Sequence, residues 1–176
     1  MCEIASNYTK GCDAPAGVEV VYAFPTIDSS GVSTIASFTH TAGDVTALTL
    51  TSGKQANTFS VEQETATFNV TSVGEKANGA DASTHTSTFI FHGNTADDLV
   101  RVDALNKGRH ALIHQLSDGT YELLHMENGA KGASDRAAGT LYEDMNGTTM
   151  TMTSKEKIAS LKISEAIVTS LLTPAP

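Results

Sequence analysis

Apolar and polar residues alternate along much of this chain with a period of two, the signature of strands with one buried and one exposed face. Val18–Phe24 is the first strand-like run, and Pro25 stops it. Asp28–Gly31 reads as a turn, and a second strand is expected over Val32–His40. There Val32, Thr34, Ala36 and Phe38 oppose Ser33, Ile35, Ser37 and Thr39. A third strand is predicted over Val45–Thr51. The clearest alternation follows, with Glu64, Ala66, Phe68 and Val70 on one face and Thr65, Thr67, Asn69 and Thr71 on the other. Thr84–His92 repeats the pattern, with Phe89 and Phe91 opposite Thr88 and Ile90. Threonine is abundant in these runs, and its β-branched side chain suits a pleated surface.

One segment follows a helical period instead. Leu99, Val102 and Leu105 recur at helical spacing, with Ala96 a turn earlier. Thr95 is placed to cap, Asp97 and Asp98 to complement the positive end, and Gly108 to stop the helix. The spacing predicts a helix over Ala96–Lys107. Arg109–Leu116 and Tyr121–Met126 then flank Asp118-Gly119, a two-residue hairpin signal, and Asn146-Gly147 is a second one. Gly74–Ser83 and Asn128–Gly139 are small, polar or glycine-rich, and read as loops. Thr140–Asp144 reads as a short strand, and the strand after Asn146-Gly147 places Met150 and Met152 on one face. Toward the end, Ile158, Leu161 and Ile163 suit an extended segment, and Ser164 is placed to cap a short helix carrying Ile167, Val168, Leu171 and Leu172. The expected fold class is therefore mainly β: an antiparallel β-sandwich or barrel with one mid-chain α-helix and a possible short C-terminal helix. A single domain over 1–176 is expected, with an N-terminal arm at 1–16 and a C-terminal tail at 155–176.

Composition narrows the function. The formal net charge of −9 disfavours ordinary nucleic-acid binding, which needs a basic surface to release counterions. The same balance suits a surface that DNA must pass without sticking. Tryptophan is absent and aromatics make up 6%, which disfavours a sugar-binding groove or a base-stacking platform. Met1–Gly17 carries Glu3, Lys10 and Asp13 and no apolar stretch, so no signal peptide is read there. No apolar run approaches the roughly 18 residues of a membrane span. A cytosolic start with reduced thiols is expected. Cys2 and Cys12, the two cysteines, lack the companions of a zinc site and read as small packed side chains, or as a disulfide if the segment folds back.

No phosphate loop, nucleophile elbow, zincin motif or calcium-loop spacing is present. The one chemical constellation is histidine-based. With a two-residue turn at Asp118-Gly119, Leu116 faces Tyr121, His114 faces Leu123 and Leu112 faces His125. His110, His114 and His125 then share a face and form a candidate metal cluster. The leucines interleaved among them read as core instead, so no catalytic residue, cofactor or metal is expected and the chain is not read as an enzyme.

Two ends of the chain carry a resemblance. The opening, with Lys10-Gly11, Cys12 and then the run "GVEVVYAF", is similar to the start of small virion structural proteins of tailed phages, notably those infecting Bacteroidetes-type bacteria. Near the other end, "DGTYELL", a glycine-rich stretch and Asp144, Asn146, Gly147, Thr149, Thr151 and Thr153 resemble the closing hairpin and strand of tail tube proteins. The resemblance implies a tail tube subunit assembling into stacked hexameric rings around a DNA-conducting channel. It implies contacts with other copies and with sheath or terminator, tape-measure and baseplate proteins. Genomic DNA would be a non-specific passenger, no membrane would be involved, and the site of action would be the virion tail after synthesis in the host cytoplasm. A head-tail connector or a capsid decoration or adhesion module is the alternative within the same class.

Overall fold

The computed structural model describes residues 17–62, 64–75, 80–92, 95–138 and 146–175. Among them the chain forms β1 (Val18–Pro25), β2 (Ile35–Thr41), β3 (Asp44–Leu50), β4 (Asn57–Ser60), β5 (Ala66–Glu75) and β6 (Ala80–His92). Helix α1 (Ala96–Lys107) follows, then β7 (His110–Leu116), β8 (Tyr121–Leu124), β9 (Lys131–Ala138), β10 (Asn146–Glu156), β11 (Leu161–Lys162) and α2 (Glu165–Leu171). Seven strands make one sheet in the order β2-β3-β11-β8-β7-β1-β4, and four make the other in the order β5-β6-β10-β9. Pairing is antiparallel except between β11 and β3. The fold is mainly β and sandwich-like.

The centre of the larger sheet is buried on both sides. On β1, Tyr22 and Phe24 enter one core while Val21 and Ala23 enter the other. On β7, Ala111 and Ile113 divide from Leu112 in the same way. A continuous apolar run, rather than an alternating one, is what a strand covered on both faces requires. The first core joins Tyr22, Phe24 and Ile113 to Leu48 and Leu50 of β3 and to Val168 and Leu171 of α2. The second joins Val21, Ala23 and Leu112 to Phe89, Met150 and Met152 of the smaller sheet, and to Val102 and Leu105 of α1. The C-terminal segment, read as an extended run and a short helix, is built into the first core through Leu161, Ile163 and α2.

Helix α1 spans the expected residues, and Thr95 caps it. Asp98 N–H donates to Thr95 Oγ1 at 3.2 Å, and the Asp98 carboxylate accepts from the Thr95 backbone N–H in return. Leu99, expected in the core, is 40% exposed, because only Val102 and Leu105 face the protein. The helix sits close over β9, where a Cβ on Gly132 would come within 2.9 Å of the Leu105 carbonyl oxygen and 2.7 Å of Met150 Sδ. That approach explains why a glycine stands at position 132 in the Asn128–Gly139 stretch. It is largely a strand, not a loop, with Lys131–Ala138 laddered to β10.

Other departures have local causes. Gly74–Ser83 is mostly the ends of β5 and β6, since Ser72, Val73, Gly74 and Glu75 pair with Ser83, Ala82, Asp81 and Ala80. Asn146-Gly147 does not turn but begins β10, opposite Ala138 and Ala137. Gly147 is needed there because a Cβ would lie 2.4 Å from the Phe91 carbonyl oxygen. Glu64 leaves the strand face, since its φ of +63° places it in a turn tied by Thr65 N–H to the Glu62 carbonyl. Strand β2 starts at Ile35, because the preceding residues close on Asp28, which accepts from Ser30 and Val32 N–H. A bulge between Ile35 and Ser37 then breaks the alternation, so that Ile35 and Phe38 both reach the first core. Thr140–Asp144, Cys2 and Cys12 lie outside the described residues.

The two faces of β10 differ sharply in what a substitution removes. Met150→Ala should cost about 2–5 kcal/mol, since a fully buried side chain leaves a cavity. Thr151→Ala, on the opposite face, should stay within about 1 kcal/mol. Urea unfolding followed by far-ultraviolet circular dichroism measures both, and equal effects would contradict the assignment of faces.

Candidate functional site

The face of the smaller sheet turned away from the larger one is a lattice of threonines. The alternation in β6 sends Thr84, Thr86 and Thr88 to this side, and that in β10 sends Thr149, Thr151 and Thr153. Register aligns them: Thr67, Thr88, Thr151 and Ala133 form one row, and Asn69, Thr86, Thr153 and Lys131 the next. Neighbouring positions are then spaced by about 5 Å across strands and about 7 Å along them. The surface is hydroxyl-rich and nearly neutral, with Ile90 and the exposed Val73 among the hydroxyls and with Lys131 and Asp135 on β9 and Lys155 on β10 as its charges.

Both edges of this sheet are open among the described residues, as β5 pairs only with β6 and β9 only with β10. Strand β5 is ten residues long, and its single charge is the terminal Glu75. A long uncharged edge is a ready template for pairing with another chain. Strand β9 carries Lys131, Asp135 and Arg136.

The opposite face of the same sheet holds a buried polar chain. Val70, His85 and Ser154 form one inward row, and Phe68, Ser87 and Met152 the next. His125, one residue beyond β8 and at φ +60°, reaches across from the larger sheet. Ser154 Oγ donates to Glu156 Oε1 at 2.5 Å, so it accepts from His125 Nδ1–H at 2.8 Å. His125 Nε2 is then an acceptor and takes the Ser87 hydroxyl proton at 2.9 Å. The Glu156 carboxylate, 2% exposed, also accepts from Glu127 N–H at 2.9 Å and Asn128 N–H at 3.2 Å. These donors offset the cost of burying its charge.

The polarity of this relay is that of an activated serine, but the geometry is closed. Ser87 and His125 are both 0% exposed. The void beside His85, His125 and Glu156 is about 10 Å³, no larger than a single water requires. A substrate carbonyl has no path to Ser87 Oγ in this arrangement, and the relay ties the two sheets together instead.

The candidate trio His110, His114 and His125 is not assembled as a metal site. The β7–β8 register is one residue off the expected one: His114 faces Glu122 and Leu112 faces Leu124. The cause is Gly119 at φ +82°, which adds a bulge residue to the turn. Gly119 N–H bonds to the Leu116 carbonyl, and Leu116 N–H to the Thr120 carbonyl. His110 stands four residues along β7 from His114, about 13 Å away. Among the described residues no group of three or more His, Cys, Asp or Glu side chains is arranged to hold a metal. The histidine missed in the sequence is His85. It lies in the threonine-rich β6 run, where its inward position was legible from the alternation but its partner His125 was not. His85 Nδ1 accepts from His125 N–H at 3.3 Å, and its ring lies 5.6 Å from that of His125. Its Nε2 faces the Ile158 backbone without forming a hydrogen bond. His114 packs 5.0 Å from Phe68, with neither ring nitrogen hydrogen-bonded.

No family model, curated protein or solved structure matches this chain.

Burial holds the His114 imidazole at about 3. His125 is also held at about 3, first by burial and then by the nearby His85 and His114. Burial lowers His85 as well, against the pull of Glu156. All three are therefore neutral in the folded protein near neutral pH, whereas the unfolded chain gains protons below about 6.5. Stability is full above that value and is lost as pH falls toward 3. His114 and His125 together set a slope of about 3 kcal/mol per pH unit. Urea unfolding at pH 7 and pH 5 should differ by about 4 kcal/mol from these two residues. His114→Leu should roughly halve that difference, and a stability independent of pH over this interval would refute the buried neutral cluster.

Proposed function

We propose that this chain is a structural virion protein, the subunit of a phage tail tube, which assembles head to tail into rings that stack around passing DNA. The observation that carries this reading is the smaller sheet, with its threonine face and its two open edges. Its strands alternate in direction through β5-β6-β10-β9, so β5 and β9 run opposite ways. Pairing β5 of one copy with β9 of the next continues the antiparallel alternation without a break. A heterologous contact of this kind closes into a ring when the rotation per subunit fits, and ring closure removes the open edges.

The chemistry of the face supports a channel wall. Neutral hydroxyls keep most of the surface wet, and its cations, Lys131 and Lys155, lie toward one end, which leaves few contacts to hold phosphates by counterion release. The overall charge of −9 acts in the same direction.

Electron microscopy of the purified protein tests the reading. Stacked rings or tubes with the threonine face inward are expected. Rings that never stack would favour the connector within the same class, and a strictly monomeric species at high concentration would overturn self-assembly.

A further inference from the structure

A third open edge borders a groove. Strand β4 pairs with β1 and, among the described residues, with nothing on its other side. All four of its residues line a groove of about 490 Å³ whose far wall is α1, through Arg101, Ala104 and Leu105. Phe59 and Phe91 give it an apolar floor, with their rings 5.5 Å apart. His110 lies at its end with Nδ1 buried and without a hydrogen-bond partner.

Edge, floor and helix together have the form that receives an extended peptide. Main-chain groups of β4 would supply ladder hydrogen bonds, and alternate side chains of the guest would enter the apolar floor. Four residues of strand offer about 13 Å, which suits a guest of four or five residues.

The sequence before Gly17 has the matching pattern. Cys2, Ile4, Ser6 and Tyr8 alternate with Glu3, Ala5, Asn7 and Thr9, so three of four positions on one side are apolar or aromatic. Sixteen residues precede Gly17, enough to span up to about 50 Å. Gly17 itself is tied to the β7–β8 turn, where its carbonyl accepts from Ser117 N–H at 3.1 Å. That turn lies on the side of β1 away from β4, so Gly17 is held on the side of β1 opposite the groove. We propose that the groove between β4 and α1 receives, as an added strand, the Cys2–Thr9 stretch of a neighbouring copy. The proposal rests on the self-assembly reading above.

The natural cysteines provide the test. One full-length chain carries Thr58→Cys with Cys2→Ser and Cys12→Ser, and a second keeps Cys2 and Cys12. The two are mixed, mildly oxidised and mapped by mass spectrometry. A link between the Thr58→Cys position and Cys2 should exceed that of a control carrying Thr46→Cys on exposed β3 by roughly 10²-fold, since docking raises the local concentration into the millimolar range. Equal yields at both positions would overturn the proposal. So would a link formed within one dilute chain carrying both Thr58→Cys and Cys2, because the guest would then be the chain's own segment. Microscopy of the same mixtures separates the two readings: tubes without the link overturn the groove proposal alone, and linked pairs without rings uphold the groove and overturn the tube.

Discussion

Two adjacent strands, β1 and β7, are covered on both faces, and the rest of the structure is arranged to cover them. Their inward residues alternate between two cores, so neither core can form without the other's backbone in place. The first core needs β3, β11 and α2 on one side; the second needs the smaller sheet and α1 on the other. This requirement explains why α2, at the far end of the sequence, is as deeply integrated as β1. It also explains why the smaller sheet can present a largely polar outer face: its large apolar residues Phe89, Met150 and Met152 turn inward to the second core.

The layer between the sheets is not uniformly apolar. Ser87, His125, Ser154 and Glu156 form a directional chain of hydrogen bonds that fixes how the two sheets meet. Hydrophobic contact alone is non-directional, whereas a chain of this kind is satisfied in one register only. His114 stands beside it without a polar partner, so the joint favours neutral imidazoles and weakens in acid. An assembly built from this subunit would share that sensitivity, because the face that the proposed channel uses is the reverse of the sheet that carries Ser87 and Ser154.

Unpaired strand edges give the surface its character. Strands β5, β9 and β4 each lack a partner on one side among the described residues. A monomer normally blunts such edges with charge or proline, and β5 carries neither within Ala66–Gly74. The proposed reading assigns β5 and β9 to neighbours in a ring and β4 to a guest strand. These uses do not compete, because β4 belongs to the other sheet.

Local pattern determined a great deal about this protein by itself. Strand-like runs and turn signals located β1, β3, β5, β6, β7 and β10, and Thr95 and Gly108 marked the two ends of α1. The threonine face was legible as well, since alternation in "STHTSTF" and "TTMTMTS" assigns each residue to a side without knowledge of the partner strand. What sequence could not show was which residues meet across the fold. Gly119 looked like part of a two-residue turn, but as a left-handed bulge it shifted β8 by one position and dissolved the candidate histidine trio. Asn128–Gly139 looked like a loop because its residues are small, yet Gly132 is what lets α1 pack down on β9. His85 and His125, forty positions apart, become neighbours only when the sheets close. Periodicity is written in the chain because it depends on backbone geometry alone; register and juxtaposition depend on contacts between distant segments, and only the tertiary structure decides them.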